Sequence, residues 1–207
     1  MQTRTITVYE YDELNDTAKS KARDWYREGY PDYGWWEEIF SDSKEVLAFL
    51  GFEIGEIEFT GFGVQGSGAR FAADWDASKV NLAGLANHAP ETAPSNKTLW
   101  RLARQAQDIA TKYPTATATS KFHGHQNAHE YATHIEVLDV DEAGNYAYIV
   151  DDNGEHKNLC DLFRSCMRWV FAALETEFFT LISDDEIADT IRANDYTFRA
   201  DGRPWNE

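Results

Sequence analysis

The sequence predicts an α+β fold. A single domain over residues 1–207 carries a mixed, mostly antiparallel sheet, packed against a long C-terminal amphipathic helix and an N-terminal helical hairpin. Three observations lead there. Leu159, Phe163, Met167, Val170, Leu174, Phe178 and Leu181 recur at three- and four-residue steps, which is the apolar stripe of a long helix. Alternating β-branched and aromatic runs elsewhere follow one another with short turns, as in hairpins. Helices and strands come in separate groups without regular βαβ alternation, which disfavours a doubly wound parallel sheet.

In chain order, residues 3–11 alternate Ile6 and Val8 with Thr5 and Thr7 and read as a strand. Asp12 or Asn15 caps a helix over about 16–28, with Gly29 as its stop. After the turn at Tyr30-Pro31-Asp32-Tyr33-Gly34, a second helix runs over about 35–50 and Gly51 closes it. Residues 52–62 alternate again, with a bulge expected near Gly55, and 69–76 make the hairpin partner. A short helix follows near 80–85. Residues 96–112 have Leu99, Leu102, Ala106 and Ile109 on one face, and Pro114 ends that helix. Residues 115–122 and 132–140 read as strands around a histidine-bearing turn. Residues 146–150 are a third strand or an extension of the long helix, which covers 158–182. Ser183 followed by Glu186 is a capping-box pattern that starts a last helix reaching about Ala193, and 196–199 form a short final strand.

The net charge of −17 excludes plain duplex binding through a basic face, because such affinity comes from neutralising phosphates with Lys and Arg. The charge is uneven. Acids outnumber bases 14 to 6 over residues 1–60 and 17 to 6 over 131–207, whereas 61–130 carry 5 against 7. Cys160 and Cys166 lie six apart on one helix, about 9 Å at 1.5 Å per residue, too far to bridge. Reduced thiols are expected, together with a cytoplasmic location in a bacterial host cell and no membrane span.

Three candidate sites stand out. Gly61, Gly63 and Gly66 spell GxGxxG, yet a strand follows where a dinucleotide site needs a helix N-terminus. The loop is read as a hairpin connection or as a small polar pocket built from Phe62, Gln65, Gly66, Ser67, Gly68 and Arg70. Tyr30, Asp32, Tyr33, Trp35, Glu37 and Glu38 combine rings with carboxylates, as interface hot spots do. Carboxylates along two helices also allow mimicry of nucleic-acid phosphates. His123, His125 and His129 are the candidates for a metal, with His134, Glu130, Asp139 and Asp141 nearby, although no Cys pair or HExxH accompanies them. No nucleophile elbow is present, and the expectation is a protein without catalysis, cofactor or metal.

The opening TRTITVYEYDELNDTAKSKARDWYREG, the block WWEEIFSDSKEVLAFLGFEIGEIEFTGFGVQGSGARF and the closing CMRWVFAALETEFFTLISDDEIADTIRANDYTF resemble a family of small proteins of tailed bacteriophages and prophages. Its members are often labelled antitoxins of toxin-antitoxin stability systems. The resemblance implies an accessory phage gene whose product neutralises a bacterial defence complex, such as a CRISPR effector, by binding it. The expected partner is a host protein or protein complex with a basic, nucleic-acid-binding surface. Two alternatives accompany that expectation: an antitoxin that neutralises a partner toxin, and a protein that sequesters a nucleotide signal through the Gly61 to Gly68 loop.

Overall fold

A computed structural model describes residues 7–31, 33–88, 96–124, 128–140, 146–148 and 155–205. The fold is α+β, and the domain expected over the whole chain divides into two compact units. One consists of Met1–Trp35 with Thr176–Glu207, the other of Trp36–Glu175.

The larger unit is built on a five-stranded antiparallel sheet in the order β2-β3-β4-β5-β6. Its strands are β2 (Leu50–Phe59), β3 (Ala69–Val80), β4 (Thr117–Lys121), β5 (His134–Val140) and β6 (Tyr146–Tyr148). The bulge expected at Gly55 is the register shift between Ile54 and Ile57. Side chains alternate across the pleat, so Phe52, Ile57, Phe71, Ala73, Trp75, Ala118, Ile135 and Val137 are buried on one face. Helix α5 (Glu155–Leu181) lies against that face: Phe163 meets Phe52 edge-on at 4.8 Å and Phe71 at 6.4 Å. Leu159, Leu162, Cys166, Met167, Val170 and Leu174 complete its buried stripe. Helix α4 (Asn96–Lys112) runs beside it, and Gln105 donates to the Asn158 carbonyl. Helix α2 (Trp36–Ala48) packs on β2. Helix α3 (Leu82–His88) begins later than its apolar spacing suggests, because Asn81 Oδ1 accepts from the Gly84 amide and so fixes the helix start. Residues 146–148 form a strand, not an extension of α5.

The smaller unit brings the two chain ends together. Strand β1 (Tyr9–Glu10) pairs antiparallel with β7 (Thr197–Phe198). The start of the expected first strand lies outside the described residues; the part that is described ends at Glu10, where a 3-10 turn over Tyr11–Glu13 begins. In that turn Glu13 accepts from the Glu10 amide at 2.9 Å. Helix α1 (Asp16–Glu28) is capped by Asn15, whose Oδ1 accepts from the Ala18 amide at 3.0 Å. Helix α6 (Asp184–Ala193) is capped by Ser183 accepting from the Glu186 amide. Tyr11, Leu14, Ala18, Ala22, Ile187, Ile191 and Phe198 form the core of this unit. The two helices expected as an N-terminal hairpin therefore fall in different units, α1 in the smaller and α2 in the larger.

Cys160 and Cys166 are buried thiols that form no disulfide, and burial pushes both up from their usual range. Among the described residues no helix is long and apolar enough to cross a membrane.

Candidate functional site

The β2-β3 connection, residues 60–68, closes on itself. Thr60 donates its amide to the Gly68 carbonyl and its hydroxyl to the Gly66 carbonyl. The Ser67 amide bonds the Val64 carbonyl, and the Ser67 hydroxyl accepts the Val64 amide at 3.2 Å. Gly63 and Gly66 have φ of +75° and +88°, a region that only glycine enters freely. At Gly68 a side chain would press on the backbone of His129, its added carbon falling 3.1 Å from that Cα. The glycines thus serve the turn and its packing against the histidine segment. Gln65 and Val64 stay exposed, whereas Ser67 is engaged in holding the loop. Phe62 leans inward, stacking on Phe59 at 5.8 Å and meeting Phe171 of α5 at 5.4 Å.

Arg70 departs from the expectation that it offers charge to a ligand. It is 1% exposed. Its Nε and Nη2 both donate to Glu58 Oε2, at 2.9 and 2.6 Å, and it also donates to the carbonyls of Gly124 and Ala132. Its guanidinium lies 4.3 Å from the centre of the Phe122 ring. The charge is spent within the fold, fastening the histidine segment to the sheet.

Beside this pin, Trp36 and Phe40 of α2, Ile57, Glu58 and Phe59 of β2, and Ala128 line an open cleft of about 280 Å³. Trp36 lies 5.9 Å from Phe59, and Phe40 meets Phe59 edge-on at 6.0 Å. Glu37 and Glu38, in the first turn of α2, are exposed.

The opposite face of the sheet is polar. Glu53 pairs with Asp74, Asp74 with Thr119 and Thr119 with Glu136, so one transverse row carries three carboxylates. Glu53 and Asp74 are like charges directly opposite each other, which weakens a sheet; Lys79 lies 3.0 Å from Glu53, and His134 lies 3.2 Å from Glu136. The sequence conceals this row, because it exists only through the register of four strands.

The histidines separate. His123 bonds the Phe122 carbonyl, His134 faces Glu136 at 3.2 Å, and His129 Nδ1 lies 3.1 Å from Glu130, which also pairs with Arg168. His125 and Asp141 lie outside the described residues. Among the described residues no group of three His, Cys, Asp or Glu side chains is placed to hold a metal.

In the smaller unit Tyr33 is 52% exposed and its hydroxyl meets that of Tyr30 at 2.9 Å. Burial and that bond push the Tyr30 phenol above its usual range. Trp35 packs on Phe178 at 5.8 Å, and Asp32 lies outside the described residues. Tyr30 continues into Tyr26, which packs against Trp25 and Tyr196. A further feature comes from chain ends far apart in sequence. Tyr11 accepts from Arg23 at 2.7 Å and is flanked by Lys19 and Arg192, at the wall of a hollow of about 560 Å³ shared with Asp184, Asp185 and Asp189.

No curated protein and no solved structure matches the chain. One family model does, over residues 35–184, a span that holds the whole sheet unit, the aromatic cleft, the glycine loop and the acidic row. The chain belongs to the family described as Domain of unknown function (DUF8835).

Proposed function

We propose that the protein works by binding, docking an acidic and aromatic surface onto a basic surface of a host protein complex. The resemblance to phage accessory proteins points to a bacterial defence complex as the target, with inhibition as the outcome. One observation carries the reading: the in-register row Glu53, Asp74 and Glu136 on the polar face of the sheet. Such a row costs stability, and a basic partner surface both relieves the repulsion and gains complementarity. Both units share the sign of charge. The smaller carries 15 acids against 8 bases and the larger 21 against 11, so approach by a basic partner is steered at long range.

The test is affinity capture from a bacterial lysate with the wild-type protein and with the triple variant Glu53→Gln, Asp74→Asn, Glu136→Gln. Wild type is expected to retain a nucleic-acid-binding complex at low salt. It should lose that complex at about 1 M salt, where charges more than about 3 Å apart are screened. The triple variant, folded by circular dichroism, is expected to retain little of it. Retention that ignores both salt and the three substitutions overturns the reading.

A further inference from the structure

We infer that the aromatic cleft between α2 and β2 is the seat for one arginine side chain of the protein partner. The inference rests on the binding reading above and names the group on the partner that the cleft takes.

At about 280 Å³ the cleft falls just below the usual range for small-molecule and cofactor pockets, and it suits a single long side chain. Trp36 and Phe40 meet Phe59 at 59° and 82°, so the three rings that line the cleft lie in different planes. Ring faces are negative and attract cations. Of the lining residues only Glu58 is charged, and the two elements that supply most of the lining are acidic in sum. The residues of α2 and β2 include seven acids, Glu37, Glu38, Asp42, Glu45, Glu53, Glu56 and Glu58, against Lys44 alone. From neighbouring elements, Arg70 answers Glu58, Lys79 answers Glu53 and His88 lies 3.6 Å from Glu45. Among the described residues Glu37, Glu38, Asp42 and Glu56 meet no cation, and all four are exposed.

An anionic occupant is repelled by this field, and an aliphatic one gains nothing from it. A guanidinium uses both properties, because it is flat, weakly hydrated and always charged, so it lies on aromatic faces while its edge meets carboxylates. The stem of the arginine fills the apolar remainder against Ile57 and Ala128.

The test titrates the wild-type protein with a blocked Gly-Arg-Gly peptide and with its citrulline counterpart, which keeps the shape and removes the charge. The Trp36 indole N–H resonance, assigned by its loss in Trp36→Phe, is the readout. The arginine peptide is expected to shift it at about one-tenth the concentration the citrulline peptide needs. Equal concentrations, or shifts confined to residues outside the cleft, overturn the inference. Lysate capture by the Trp36→Leu, Phe40→Leu variant separates the two readings. A partner retained as well by that variant as by wild type removes the cleft and leaves the wider reading standing. Peptide discrimination with no partner captured supports the cleft and sinks the wider reading. The peptides are titrated into wild type alone, and Trp36→Phe serves only to assign the resonance.

Discussion

Arg70 shows how a residue that reads as a ligand contact becomes a structural pin. In the sequence it is the first strand residue with a charge after a glycine loop, which suggests an exposed cation. Its burial depends on Glu58, twelve residues earlier, and on carbonyls more than fifty residues later. No local pattern announces those partners. A guanidinium removed from water is tolerable only when its donors are met, and here Glu58 and two carbonyls meet them. Arg70→Met should therefore lower stability by about 3 kcal/mol, because Glu58 keeps its charge without its partner. Urea unfolding of the single variant and of Arg70→Met with Glu58→Leu measures this. The double variant is expected to regain part of the loss, and a single variant as stable as wild type contradicts the account.

At the scale of elements, most boundaries were legible because they follow from local chemistry. Helix α1 starts where Asn15 caps it, α4 spans the stretch its apolar face marks, and α6 starts at the Ser183 cap. The sheet's register was not legible, since it depends on which strands become neighbours and on the bulge between Ile54 and Ile57. The acidic row is a product of that register, as is the position of Phe163 against Phe52 and Phe71. Phe163→Ala removes a wholly buried ring between α5 and the sheet and should cost about 3 to 5 kcal/mol in urea unfolding. Asp74→Lys places a cation opposite Glu53 and should raise the melting temperature slightly while weakening partner capture, a split that a purely structural row does not produce. A melting temperature that falls with capture unchanged rejects the proposed role of the row.

Across the whole molecule, the feature hardest to foresee is that the two ends of the chain build one unit, fastened by ion pairs between residues more than 150 positions apart. Arg192 donates to Asp12, and Arg23 and Arg27 both pair with Asp184, while Arg27 also bonds the Ile182 carbonyl. Hydrogen bonding to Arg192 holds the Asp12 carboxyl below the usual carboxylate range, and hydrogen bonding to Arg23 does the same for Asp184. A carboxyl lowered in the folded state adds stability that is complete above its unfolded pKa and is lost as pH falls through its folded value. The arginines stay charged throughout, so the carboxylates alone set this window, at and below the usual carboxylate range. Near-UV circular dichroism, which reports the packed Trp25, Tyr26 and Tyr196 rings of this unit, follows it. Asp184→Asn should unfold at a lower temperature than wild type at neutral pH. The gap should narrow as pH drops through the acid range, and it should shrink in high salt, because these pairs are exposed and screened. A gap that stays constant from neutral to acid pH shows that the asparagine acts through packing and not through the lost charge.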